Sequence, residues 1–412
     1  MKFYLVPIAL FSVLLSLGCS TVSKNTGKAE RKESKERWIG ELSLKNAEAL
    51  PFIFEKYGSK ELIIHNADER ISLLRTSTKG DSCVYSFPDF ESHLTIKFEG
   101  QTAGGRWSSK NKSYQLKFKA KASKGSQFQQ ANENTKTIDL SEKWRTVFSP
   151  DSDGKGEDAL GMFQQKGNEI TGTFLTETGD YRFLSGNIFG NNLYLSCFDG
   201  SHAFLFKAVL ENDTLKGEFF SGKSYHTTWY AIEDDQFELR DPFQLTYIED
   251  STKALSFTFN DLNLDQVTYP NESYKDKVTI VQIMGSWCPN CIDETRYYLD
   301  LYEKYHEQGL EIILVGYENG KTDADRAKRL INLKERYSIP YQMLIGGSIS
   351  KAQTSKDFPM LNNVISYPTS LFVDKSGKVV KVHTGFYGPG TGNYYEQYVA
   401  ETDAFVQKLL AN

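Results

Sequence analysis

The chain has 412 residues, more than one hydrophobic core ordinarily serves, so two or three domains are expected. Its net charge of -5 supplies no basic footprint, which excludes nucleic acid as a partner. Five cysteines are too few for a disulfide scaffold, and 23 Tyr and 27 Phe suit a strand-rich fold.

Residues 1–18 read as a secretory signal: Lys2, then an apolar run from Phe3 to Leu15 broken only by Pro7 and Ser12, too short to span a membrane as a mature helix. Ser16-Leu17-Gly18-Cys19 resembles the bacterial lipoprotein processing box, with Ser16 where the pattern usually has Leu. That resemblance makes Cys19 the lipidated first residue; ordinary cleavage leaving a spare thiol is the alternative. Ser20 is not the Asp that holds some lipoproteins at the inner membrane, so an outer-membrane anchor is expected, with the body in the periplasm or at the cell surface. Residues 19–37 carry almost nothing apolar and read as a flexible tether.

From Trp38 to residue 235 short alternating runs are separated by Asp/Asn/Gly turns, the pattern of a β-meander, sandwich or barrel. The region repeats with a period of roughly 105 to 110 residues. Trp38 is matched by Trp144, Asp89–His93 by Phe198–His202, Gly105-Arg106-Trp107 by Gly217-Glu218-Phe219, and Phe118-Lys119-Ala120 by Trp229-Tyr230-Ala231. This divides the region into a β-rich repeat at 38–120, a polar linker at 121–142 and a second repeat at 143–235; chance similarity between two meanders is the alternative. His93 and His202 at matching places invite a metal hypothesis, but strand-end histidines bonded to backbone are the plainer expectation. Cys83 and Cys197 fall at non-equivalent points, so each is expected to be a free thiol rather than half of a bridge.

After a second linker at 236–254 the pattern becomes α/β. Strands are expected at Leu255–Phe259, Gln266–Tyr269, Val278–Met284 and Leu310–Tyr317, and helices at Asp293–Gln308, ended by Gly309, and at Asp323–Tyr337. Between the third strand and the first helix stands Gly285-Ser286-Trp287-Cys288-Pro289-Asn290-Cys291. Two cysteines at this spacing in the first turn of a helix can close a small ring, and the unpaired N–H groups and the dipole there favour a Cys288 thiolate. Pro289 fits the first turn, where its missing N–H is harmless, and Trp287 would shield one side. Cys291 is then the resolving thiol. No second CxxC or spaced His pair completes a zinc site, which leaves redox chemistry ahead of a zinc half-site or a structural disulfide.

Tyr367-Pro368 enters a strand that reads as central, which is anomalous unless the bond is cis. A turn at Lys375–Lys378, a strand at Val379–His383 and a helix at Tyr394–Leu410 complete a thioredoxin-like order. The glycine-rich stretch Thr384–Gly392 reads as a plain loop, with an anion or substrate cradle as the alternative.

On these residues, 255–412 resembles the TlpA-like thiol-disulfide oxidoreductases, envelope members of the thioredoxin superfamily. The resemblance rests on Trp287-Cys288-Pro289-Asn290-Cys291, Glu294 and Tyr367-Pro368-Thr369 before Phe372-Val373-Asp374. The fold expected is an all-β region of two repeated modules, read from the alternation and the repeat, followed by an α/β thioredoxin-fold domain; the resemblance implies that in that domain Cys288 attacks, Cys291 resolves, and cis-Pro368 and Tyr367 face the substrate. It further implies that Glu294 tunes the thiols, an ordinary helix carboxylate being the alternative. Gln282 stands where thioredoxin has a buried Asp, and Val281 and Gly285 replace the residues a peroxiredoxin requires. The expected activity is reduction of envelope protein disulfides, with no metal or organic cofactor and with re-reduction by a membrane electron donor. Two other readings stay open: an oxidant running the same exchange in reverse, and a binding lipoprotein whose β region carries the main function.

Overall fold

The computed structural model describes residues 35–110, 114–129, 138–140, 143–152, 156–250 and 254–412; the signal segment and Cys19 lie outside these. Eight antiparallel strands form a first closed barrel: β1 (Lys35–Ser43), β2 (Ala49–Tyr57), β3 (Glu61–Asn66), β4 (Glu69–Lys79), β5 (Ser82–Ser86), β6 (Ser92–Glu99), β7 (Thr102–Ser109) and β8 (Tyr114–Ala122). A second ring follows: β9 (Lys143–Phe148), β10 (Glu157–Lys166), β11 (Glu169–Thr176), β12 (Gly179–Asp180), β13 (Leu184–Phe189), β14 (Asn192–Phe198), β15 (Ala203–Glu211), β16 (Thr214–Ser221) and β17 (Tyr225–Glu233). Strand β10 pairs with both β9 and β11 and β17 pairs with β9, which closes eight strands; the two-residue β12 folds back on the end of β11.

The matching residues fall on matching strands. Trp38 and Trp144 lie in the first strand of each ring, Gly105 and Gly217 in the seventh, and Phe118 and Trp229 in the eighth, with β12 left out of the second count. The glycines show why the pattern persists. A Cβ at Gly105 would sit 1.9 Å from the Thr95 carbonyl oxygen, and one at Gly217 would sit 2.3 Å from that of Lys207, each on the neighbouring strand. Because the obstacle is backbone, no side-chain rotation relieves it. Gly105→Ala should therefore lower stability by about 1–3 kcal/mol, as overpacking does. Gly104→Ala, whose nearest such contact is 3.8 Å away, is the control; urea midpoints compare the two.

The barrels are not beads on a string. Along β14, Leu193, Leu195 and Cys197 point into the second barrel's core, while Phe198 joins the first barrel's, packing on Phe52, Phe87 and Trp107 at ring distances of 4.9, 5.4 and 5.2 Å. Alternation along a strand makes one element serve two cores. Asn66 clamps the crossing by exchanging hydrogen bonds with the Phe198 backbone at 3.0 and 3.1 Å. Cys83 and Cys197 are free thiols, not a bridge.

Three boundaries expected from composition shift. The first strand begins at Lys35, inside the stretch read as tether, and Arg37 donates to the carbonyls of Ser123 and Gly125. Within the 121–142 linker, Lys121 and Ala122 finish β8, and buried Gln127 donates to the Pro51 carbonyl and to Ser196 Oγ. In the 236–254 linker Leu245 and Thr246 are buried, and Ile248 bridges to Leu361. A polar segment cannot form its own core, but it can still pack on someone else's.

The last domain is a seven-stranded sheet, ordered β19-β18-β22-β21-β20-β23-β24. Its strands are β18 (Phe257–Asp261), β19 (Gln266–Tyr269), β20 (Val278–Met284), β21 (Leu310–Glu318), β22 (Gln342–Ser348), β23 (Thr369–Val373) and β24 (Val379–Thr384). Its helices are α1 (Pro289–Tyr305), α2 (Asp323–Tyr337), α3 (Lys351–Asp357) and α4 (Asn393–Ala411). Helix α1 starts at Pro289 rather than Asp293, and β22 and α3 were not expected. Gly346 and Gly347 dilute the strand signal of β22, and α3 buries only Thr354, so it shows no apolar stripe.

Candidate active site

Strand β20 is buried at every residue and lies inside the sheet between β21 and β23, and α1 begins beyond its carboxyl end. A side chain at Gly285 would lie 2.2 Å from the Trp287 indole nitrogen, so glycine allows Trp287 to fold back over the motif. The indole N–H donates to the Tyr317 carbonyl at 3.0 Å, and the ring meets Tyr367 edge-on at 5.9 Å. Cys288 caps α1: the Cys291 N–H donates to its Sγ at 3.4 Å, and Pro289 takes the first helical position. The Tyr367–Pro368 peptide is cis, and the Cys288 thiol donates to the Tyr367 carbonyl at 3.6 Å. Cys288 keeps 8% of its surface and Cys291 none, which decides which sulfur can meet a partner.

Residues 249–398 match the Redoxin family model. The thiol-disulfide oxidoreductase ResA of Bacillus thuringiensis subsp. konkukian is 31% identical over 137 residues, 32% of this chain and 69% of that protein. The chain belongs to the Redoxin family of thiol-disulfide oxidoreductases. ResA of Bacillus cereus strain ZK is 27% identical over 158 residues, 38% of this chain and 76% of that protein. A thiol:disulfide interchange protein of the thioredoxin family from Chlorobium tepidum shares 19% identity over 38% of this chain and 94% of its own, with a TM-score of 0.30. The family match begins after the two barrels.

Two buried carboxyls flank the dithiol of this oxidoreductase. Glu294 lies one helical turn beyond Cys291, fully buried, and accepts from Gln282 Nε2 (2.8 Å), Ser370 Oγ (3.1 Å), Tyr298 OH (3.3 Å) and Tyr398 OH (3.4 Å). Burial pushes it up to about 7 against the pull of those four donors. Gln282, in place of a buried Asp, thus anchors an acid supplied by the helix. Burial also drives the Cys291 thiol up, with Cys288 and then the Glu294 charge adding to it. Glu318, at the end of β21, is the acid the sequence reading missed. It accepts from Ser286 N and Oγ at 2.6 and 2.9 Å, and burial raises it to about 7. Its signal was its place at the carboxyl end of a central parallel strand beside the motif.

Both carboxyls hold their protons above the ordinary value of 4.5. Between about pH 4.5 and 7 the folded chain binds protons that the unfolded chain has released, so stability should fall as pH rises through that window. Glu294→Gln should remove its share, about 3 kcal/mol, and leave the share of Glu318. Urea midpoints at pH 5 and pH 8 check this; an unchanged difference would contradict it.

The second barrel touches the motif directly. Asp180 Oδ2 accepts from Asn290 Nδ2 at 2.9 Å and from the Gly388 N–H at 2.7 Å. Asn290 Nδ2 also reaches the Phe386 carbonyl at 2.8 Å. The glycine-rich stretch is the other half of this contact: a Cβ at Gly385 would lie 2.5 Å from the Thr178 oxygen, and one at Gly390 would lie 3.2 Å from the Arg182 backbone. The first barrel grips the opposite side, where Asp89 binds Arg296 and Tyr337, and Glu91 binds Arg329. His202 pairs with Asp199 at 3.1 Å and stacks on Phe204. Burial works to raise the Asp199 carboxyl, but His202 and Arg182 hold it down at about 2.

Proposed function

We propose that this oxidoreductase reduces protein disulfides in the bacterial envelope, tethered by a lipid on Cys19. The Cys288 thiolate attacks a substrate disulfide, forming a mixed disulfide and releasing one substrate thiolate. Cys291, once deprotonated, attacks Cys288 Sγ and releases the second, so the substrate gains two electrons and the enzyme keeps a Cys288–Cys291 disulfide. A membrane electron donor then restores the dithiol.

The observation carrying this reading is the asymmetry of the pair at the helix start: Cys288 keeps 8% of its surface and Cys291 none. The Cys288 sulfur accepts from the Cys291 N–H, and its thiol donates to the Tyr367 carbonyl. Equilibration with defined thiol/disulfide buffers should place the pair near thioredoxin, at about -270 mV; a value near about -120 mV would make the protein a disulfide donor. Labelling cells with a tagged fatty acid should mark the protein, and Cys19→Ser should abolish the mark.

A further inference from the structure

In the proposed reaction, a substrate disulfide must reach Cys288 beside the Ser366-Tyr367-Pro368 loop, and one flank of that loop is already occupied. The turn between β11 and β12 lies there. The Thr178 carbonyl accepts from Ser366 Oγ at 3.5 Å, Gly179 packs so closely on Asn290 that a Cβ would stand 3.0 Å from its Nδ2, and Asp180 makes the two bonds described above. Pro289, Asn290, Ser366 and Pro368 are all buried, whereas Ser286, Trp287 and Ile365 stay partly exposed. The turn is firmly held. Arg182, two residues on, is 5% exposed and binds Glu69 of the first barrel, Asp199 of the second and Asp293 of α1.

We propose that this turn, Glu177–Asp180, is a fixed wall of the substrate groove that sets substrate class, with Gly179 and Asp180 as its specificity-determining residues. It leaves Cys288 approachable only along the Trp287–Ile365 side. A disulfide carried on a small or extended peptide can enter that way. One embedded in a broad folded surface collides with the second barrel first. Three glycines, Gly179, Gly385 and Gly388, permit the close approach of wall and domain, so the fit is built by both partners. The proposal rests on the reductase reading above.

The test uses the purified chain in its dithiol form and compares rates on a short cystine peptide and on insulin. Asp180→Ala removes both bonds that seat the wall, and the insulin-to-peptide rate ratio should rise by about tenfold or more. An unchanged ratio overturns the proposal, whatever happens to either rate alone. A wild-type chain that reduces neither substrate overturns the reductase reading instead. A second measurement needs no variant: the rate penalty of a polyethylene-glycol maleimide relative to N-ethylmaleimide, read by mass spectrometry, should be larger at Cys288 than at the partly exposed Cys83. Equal penalties at the two sites also overturn the wall.

Discussion

Cys291→Ser should turn the enzyme into a trap for its own substrates. Cys288 keeps its position at the start of α1 and its hydrogen bond from the backbone N–H of residue 291, so attack still proceeds. The mixed disulfide then lacks its resolving thiol, because among the described residues no other cysteine belongs to the site: Cys83 and Cys197 lie in the barrels. Turnover should fall on the order of 10³-fold or more, while covalent adducts accumulate and disappear on addition of reductant. Cys288→Ser should lose the same turnover without adducts. Non-reducing gels of cells expressing each variant separate the two outcomes, and adducts with the Cys288 variant would reverse the assigned roles.

Arg182→Ala should be strongly destabilising although it lies outside the motif. The guanidinium is buried with Asp199 and Asp293, which are 2% and 4% exposed, and with Glu69 at 16%. Each carboxylate comes from a different packed body: the first barrel, the second barrel and the redox domain. Removing the cation takes from Glu69, Asp199 and Asp293 their one shared partner, leaving Asp199 with His202 and Asp293 with Arg296, and breaking a buried ion pair in this way typically costs about 3–5 kcal/mol. The loss should be partly repaired in acid, since protonating the carboxyls removes the uncompensated charge. Arg182→Lys keeps the charge but loses the fork that spans three partners, and should fall between. Urea midpoints at neutral and mildly acidic pH give the order; a wild-type-like midpoint for the alanine variant would show that the three bodies are held by apolar packing alone.

The strand-end loops of the two barrels illustrate how a repeat diverges in use. In the first barrel, Asp89 and Glu91 reach the helices of the redox domain. The matching residues of the second barrel, Phe198 to His202, turn to the first barrel and to Arg182. Sequence similarity located both loops, yet neither partner was visible in it.

What the amino-acid sequence determines on its own is local. The redox motif, the strand before it and the helix after it lie within residues 278–305, and each is specified by short-range rules: a continuous apolar run, a proline in the first turn and a cysteine spacing that closes a ring. The barrels were legible for a similar reason, because alternation reports that one face of a strand is covered. Only tertiary structure decided what does the covering. Phe198 alternates correctly but enters a neighbouring barrel, buried Glu318 accepts from Ser286 across 32 residues, and Asn290 meets Asp180 across 110 residues. Periodicity fixes the face a residue points from; the partner across the gap depends on how separate bodies close on one another, and no local pattern encodes that.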